Sequence, residues 1–192
     1  VIVSTDSEDY AEVANKYGAE TPYLRPDDLS SDFSPEIDFV KHMINWLKEE
    51  EGYQPDIIVR MLATSPLQKS EDIDSAIEIL LEDKKADSSV IISEMRQHPF
   101  KALKIIDDEQ NGTKLVSYFG NSGREVTPIA RQNYETAYVR SNVIVCRTST
   151  IEKTDSLTGD HVKYHIIPQE ESIDIDGEID FIIAEELLKQ RL

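Results

Sequence analysis

The sequence predicts an α/β fold with a mostly parallel sheet flanked by helices, and three observations carry that prediction. Short apolar, β-branched runs alternate with amphipathic stretches of helical period, the order that βαβ units produce. The apolar runs, such as Asp56-Ile57-Ile58-Val59-Arg60-Met61-Leu62, are near-continuous, as in strands buried on both faces. Turn and cap residues fall between them where a helix must start or stop. A chain of 192 residues is long enough for one domain, expected to span 1–192.

The first run, Val1-Ile2-Val3-Ser4-Thr5-Asp6, reads as a buried strand. Such strands rarely open a domain and no initiator methionine stands ahead of this one, so a preceding segment is expected. A helix follows from about Ser7 to Tyr17, with Gly18 placed for a left-handed stop. After the loop around Arg25-Pro26-Asp27-Asp28, Ser34 is expected to cap a helix that has Pro35 at its first position and stops at Gly52. The strand over 56–62 leads into the loop Ala63-Thr64-Ser65-Pro66-Leu67, then a helix from Glu71 to about Asp83 and a strand from Ser89 to Ser93. Between 94 and 147 the pattern shortens, and Asn111-Gly112 is a hairpin signal, so this region is expected to form a small inserted antiparallel flap. A strand from Val162 to Ile167, an acidic segment and a helix from about Gly177 to Gln190 complete the chain.

Charge narrows the function. A net charge of −18 argues against a nucleic-acid partner, because duplex binding depends on clustered Lys and Arg. An anionic small substrate remains possible only if a local group of cations or a metal meets it. No apolar run approaches the roughly 20 residues of a membrane span and no signal-peptide pattern is present, so the cytoplasm is the expected location. The lone Cys146 excludes an internal disulfide framework, and His42, His98, His161 and His165 show no metal-ligand spacing. No G-x-G-x-x-G run exists to suggest a dinucleotide cofactor.

The acidic segment, Ser172-Ile173-Asp174-Ile175-Asp176, is the most informative stretch. Its alternation is that of an extended strand, which would point Asp174 and Asp176 the same way. Two such carboxylates repel by roughly 4 kcal/mol at about 4 Å with an effective dielectric near 20. A hard cation between them removes that cost, and magnesium typically takes one or two protein carboxylates plus substrate phosphates. The same residues also suit a turn at Asp174 and a helix cap at Asp176, and the residues alone leave both readings open. In open α/β sheets ligands bind at the carboxyl ends of strands. Three polar strand ends stand there: Ser4-Thr5-Asp6, Thr64-Ser65-Pro66 and the Asp174/Asp176 segment.

Five segments in order resemble those of the CMP-sialic acid synthetases, the acylneuraminate cytidylyltransferases. They are Val1 to Ser7; Leu24-Arg25-Pro26 with Ser31-Asp32; and Thr64-Ser65-Pro66-Leu67 with Glu71-Asp72-Ile73. The others are His98-Pro99-Phe100-Lys101 with Arg131-Gln132, and Ser172 to Asp176 with Asp180-Phe181 and Ala184-Glu185. The resemblance implies a Rossmann-like nucleotidyltransferase fold, CTP and a keto-acid sugar as substrates, magnesium as cofactor, and a homodimer whose flaps are exchanged. It implies that Asp174 and Asp176 hold the metal, with Asp6 a further candidate, and that Arg25, Ser34 and Asp6 lie near the nucleotide. It gives Arg131 the sugar carboxylate and places Gln132, Lys101, Leu62, Thr64, Ser65 and Asn142 around the sugar.

Two departures from the family pattern bear on specificity. Leu62 stands where sialic-acid-specific members usually carry Gln, and Asn142-Val143-Ile144-Val145-Cys146 replaces Asn-Gly-Ala-Ile-Tyr. Legionaminic, pseudaminic or another keto-acid sugar therefore stands beside sialic acid. The family's N-terminal phosphate-binding segment has no counterpart in this sequence, so the chain as given is expected to turn over little or not at all. Two other readings stay open: a CTP-dependent enzyme for the eight-carbon acid Kdo, and a non-catalytic binding or dimerisation module.

Overall fold

The computed structural model describes residues 1–108, 112–119 and 135–191. Five α-helices are present among them: α1 (Glu8–Lys16), α2 (Glu36–Glu50), α3 (Ser70–Glu82), α4 (Thr148–Thr154) and α5 (Glu178–Lys189). The strands are β1 (Ile57–Met61), β2 (Ser88–Glu94), β3 (Leu103–Asp108), β4 (Gly112–Ser117), β5 (Tyr138–Arg147) and β6 (Val162–Ile167). Four of them form one sheet in the order β1-β5-β2-β6, and β3 and β4 form a separate pair. No two neighbours in the larger sheet are consecutive in the order of the named strands, so the connections cross over. The α/β class is as expected.

The elements form for local reasons. Ser7 caps α1 by accepting the Tyr10 amide at 3.4 Å, and Gly18, at φ +88°, takes the left-handed turn that ends it. Gly52, at φ +64°, does the same after α2. Ser34 does not cap α2 as expected. Pro35 holds the N-cap position, and the Ser34 hydroxyl turns back into its own loop, accepting from the Ser31 amide at 3.1 Å and donating to the Asp28 carbonyl at 3.3 Å.

Two expected strands are also corrected. The run Val1 to Thr5 pairs only through a lone parallel bridge between Ile2 and Glu20, and Val1 is 95% exposed. β-Branched residues favour extended backbone, but a strand needs a continuous partner ladder, and here Glu20 bonds Val1 and Val3, each at 2.8 Å, while the Thr5 carbonyl takes the Arg25 amide at 2.7 Å. The Asp174/Asp176 segment is extended without being a strand of either sheet. Its alternation survives because of burial: Ile173 and Ile175 face a core of Leu67, Ala184, Ile183 and Leu187, while Asp174 and Asp176 are exposed.

The chain divides into two compact units. The first comprises Val1–Arg60, Leu80–Ser89 and Ile144–Lys163. Its core includes Val40, Leu47, Leu80, Val145, Cys146 and Ile151. Asp87 clasps the loop before β6: its carboxylate accepts from the Asp160 and His161 amides at 3.0 and 2.9 Å. The second unit comprises Met61–Ile79, Val90–Val143 and Tyr164–Leu192. It holds the β3–β4 hairpin, antiparallel with Ile105 opposite Leu115 and Asp108 opposite Gly112. Gly112 adopts φ +73°, as a tight hairpin turn needs, and Asn111 lies outside the described residues. Within the 94–147 region expected as flap, β5 is a strand of the four-stranded sheet.

Candidate active site

In the second unit, the end of β1 runs into a turn at Thr64-Ser65-Pro66-Leu67, closed by the Ser65 amide on the Leu62 carbonyl at 3.2 Å. Ser65 and Leu67 are buried and Thr64 is exposed. The Asn142 side-chain amide on β5 donates to Ser65 Oγ at 3.1 Å and Thr64 Oγ1 at 3.4 Å. The next residue back, Ser141, donates to Gln68 Oε1 at 3.1 Å. The Thr64 carbonyl accepts the Ile175 amide at 2.9 Å, so the same turn holds the acidic segment. Thr64, Ser65, Asn142, Asp174 and Asp176 are thus joined by short links, and half-buried Leu62 starts the turn. Lys101 is exposed in a single helical turn at Pro99–Lys101, which the His98 ring caps through the Phe100 amide at 3.3 Å. Arg131 and Gln132 lie outside the described residues.

A cleft of about 320 Å³ opens beside the acidic segment. The end of β2 lines one side through Ser93, Glu94, Arg96 and Gln97, and Gln169, Ser172 and Asp174 line the other. Ser93 Oγ donates to Ser172 Oγ at 2.7 Å, pinning the two sides. Sequence reasoning missed the β2 end, although its place at the carboxyl end of a strand is the signal that finds it. Asp180 also borders the cleft, but its carboxylate accepts the Gly177 and Asp176 amides at 3.0 and 3.3 Å and so caps α5. The N-cap position belongs to Gly177, so Asp176 does not cap the helix. Behind the segment, buried Glu171 is neutralised by Lys69 and Arg191.

Asp174 and Asp176 make no hydrogen bond or ion pair through their carboxylates among the described residues. Also among the described residues, no group of three or more His, Cys, Asp or Glu is placed to hold a metal ion. Two carboxylates are the kind of donor set that would suit magnesium, which needs only one or two protein carboxylates when phosphate oxygens and water complete its shell. Each of the four histidines has its own partner: His42 with Tyr23, His98 with the Glu135 carbonyl, His161 with Asp83, and His165 with Asp72.

The first unit carries Asp6, Arg25 and Ser34. Arg25 stands 3.6 Å from Asp6, donates from Nε to Ser30 Oγ at 3.1 Å, and lies 5.2 Å from the Phe39 ring centre. Its amide donates to the Thr5 carbonyl at 2.7 Å, so Arg25 is fixed at backbone and head group alike. Ser34 is tied to Ser31 at 2.8 Å.

A sheet with helices between its strands, polar turns at strand ends and an exposed carboxylate pair beside a cleft describe a nucleotidyltransferase. The chain belongs to the cytidylyltransferase family, whose family model matches residues 1–182. Over its whole length it is 27% identical to the Post-translational flagellin modification protein B of Campylobacter coli, covering 77% of that protein. It is 29% identical to the CMP-N,N'-diacetyllegionaminic acid synthase of Legionella pneumophila, over 98% of this chain and 78% of the relative. Among solved structures, a CMP:2-keto-3-deoxy-manno-octonic acid synthetase complexed with CTP superposes with a TM-score of 0.63 at 10% identity, covering all of this chain and 81% of that one. The last likeness establishes the fold. No helix among the described residues is long and apolar enough to cross a membrane.

Proposed function

We propose that the protein activates a nonulosonic acid, a nine-carbon keto-acid sugar, by transferring a cytidylyl group to it from CTP in the cytoplasm. The anomeric hydroxyl attacks the α-phosphorus, the bond to the β-phosphate breaks, and pyrophosphate leaves. The observation that carries the reading is the bond from the Ile175 amide to the Thr64 carbonyl, which holds the acidic pair against a turn of the family's pattern. Such a transfer asks the protein for positioning and charge neutralisation more than for covalent help.

Asp174 and Asp176 would hold magnesium, which when bound supplies positive charge against the triphosphate and the developing pyrophosphate. Arg25, fixed by Ser30 and Phe39, and neighbouring Asp6 would face the nucleotide, with Ser34 in the adjoining loop. Thr64, Ser65, Leu62, Lys101, Arg131 and Gln132 would border the sugar. Leu62 offers no polar group where sialic-acid-specific members carry Gln, so legionaminic, pseudaminic or another keto-acid sugar stands beside sialic acid as the substrate. The β3–β4 hairpin presents Leu103, Ile105 and Leu115 on one face, all exposed, a surface suited to a second copy of the chain.

The test uses the whole gene product with CTP, magnesium and a panel of legionaminic, pseudaminic and sialic acids and Kdo, following pyrophosphate and the CMP-sugar by mass. Turnover with a nine-carbon acid is expected. Turnover only with Kdo would move the reading to the eight-carbon class, and CTP binding without turnover on any acid would leave a binding module.

A further inference from the structure

We infer that Asn142 is a positioning residue for the metal–nucleotide site, acting through the Thr64–Ser65 turn rather than on the sugar. The inference rests on the proposed cytidylyl transfer. An amide nitrogen carries two protons, and Asn142 Nδ2 has two hydroxyl acceptors at bonding distance, Ser65 Oγ at 3.1 Å and Thr64 Oγ1 at 3.4 Å. Both protons are therefore committed to consecutive residues of one turn, and the donor that the family resemblance offers to the sugar is already used. The platform behind it is rigid: Ser141 and Val143 on either side are buried within β5, and Ser141 grips the far end of the same turn at Gln68.

The turn in turn holds the acidic segment. Thr64 accepts the Ile175 amide at 2.9 Å, and Ile175 is the residue between Asp174 and Asp176. Asn142 thus stands two hydrogen-bonded steps from the carboxylate pair. Ile173 and Ile175 are seated against Leu67, which belongs to that turn, so a turn that loosens moves the seat of both isoleucines. Sub-ångström placement of carboxylates decides how well a metal–triphosphate pair is held.

The experiment compares the wild-type gene product with Asn142→Ala, with Thr64→Val and Ser65→Ala, and with all three combined. Affinity for CTP with magnesium is read by titration calorimetry without sugar, and steady-state kinetics give kcat and the sugar KM. Asn142→Ala is expected to weaken CTP–magnesium binding about tenfold and to lower kcat, leaving the sugar KM within about twofold. Thr64→Val and Ser65→Ala, which remove the acceptors, should together reproduce the loss. In that background Asn142→Ala should add less than about twofold, because the three act as one unit. A raised sugar KM with unchanged CTP–magnesium affinity overturns the inference, as does a full further loss in the Thr64→Val/Ser65→Ala background. If no sugar acid is turned over, the proposed function fails while the calorimetric comparison still decides the role of Asn142.

Discussion

The Ile175 amide donates to the Thr64 carbonyl at 2.9 Å, and that single backbone bond joins the acidic segment to the turn after β1. It leaves the carboxylates on either side of Ile175 directed away from the core, where a cation and a triphosphate can reach them. Asp174→Asn and Asp176→Asn should each lower kcat by about 10²-fold, the scale of losing a few kcal/mol of transition-state stabilisation. Both side chains are exposed, so the melting temperature should stay within about 2 °C of wild type. Full activity in both variants would remove the pair from the mechanism.

Arg25 and Asp6 should separate by stability. Arg25→Ala gives up a hydrogen bond to Ser30 and a contact with the Phe39 ring, together about 1–2 kcal/mol in urea unfolding. Asp6→Asn should cost less than about 0.5 kcal/mol, since the ion pair is long and Asp6 is half exposed. Equal costs would mean that the ion pair, and not the stack, fixes Arg25.

The loop before β6 should be acid-sensitive. The His161 and Asp160 amides hold the Asp87 carboxyl below its usual range, and the Lys85 amide with Lys163 and His161 lowers Asp83 to about 2. In the unfolded chain these groups take up protons first, near pH 4, so the unfolded state binds more protons below that point. Their contribution is complete above about pH 4 and is lost as the pH falls toward 2. Stability measured against pH should drop over that window, and Asp87→Asn should flatten the drop. Gly159→Ala should loosen the same clasp by more than about 1 kcal/mol, because the residue sits at φ +64° and a Cβ there would lie 2.6 Å from that of Asp87.

Cys146 should be silent toward thiol reagents in the native protein. Burial pushes its thiol up to about 11, although Arg60 acts weakly the other way, so neither access nor thiolate is available at neutral pH. Labelling should appear only with unfolding; fast labelling of folded protein would contradict the buried placement on β5.

The hairpin face should govern assembly. Ile105→Glu together with Leu115→Glu opposes two like charges on the exposed face and should convert a homodimer to a monomer by light scattering. An unchanged mass would place the dimer contact elsewhere or show none.

The helices were legible in the sequence because their signals are local: Ser7 and Gly18 bracket α1, and Gly52 ends the turn after α2. Ser34 misled because its hydroxyl oxygen can accept from a helix amide or from an amide of its own loop, and the Ser31 amide supplied the partner. The opening β-branched run misled for a different reason: propensity describes the backbone of one segment, whereas a strand is a relation between two. In the site, Thr64, Ser65 and Asp174 could be singled out from residue type and order. The grip of Asn142 on the turn, and the Ser93–Ser172 bond across the cleft, join residues 77 and 79 positions apart and leave no local mark.

The alternation of Ile173, Asp174, Ile175 and Asp176 also limits how the chain can vary in length. No ladder fixes this segment; its register is set by which side chains enter the core. Losing or gaining one residue between Ser172 and Gly177 would drive an aspartate into the apolar seat beside Leu67 and turn an isoleucine out to solvent. A single substitution at Asp174 or Asp176 should cost chemistry and leave the fold standing, but a change of length spoils both together, so gene variants of this protein should be free of insertions and deletions across these few codons.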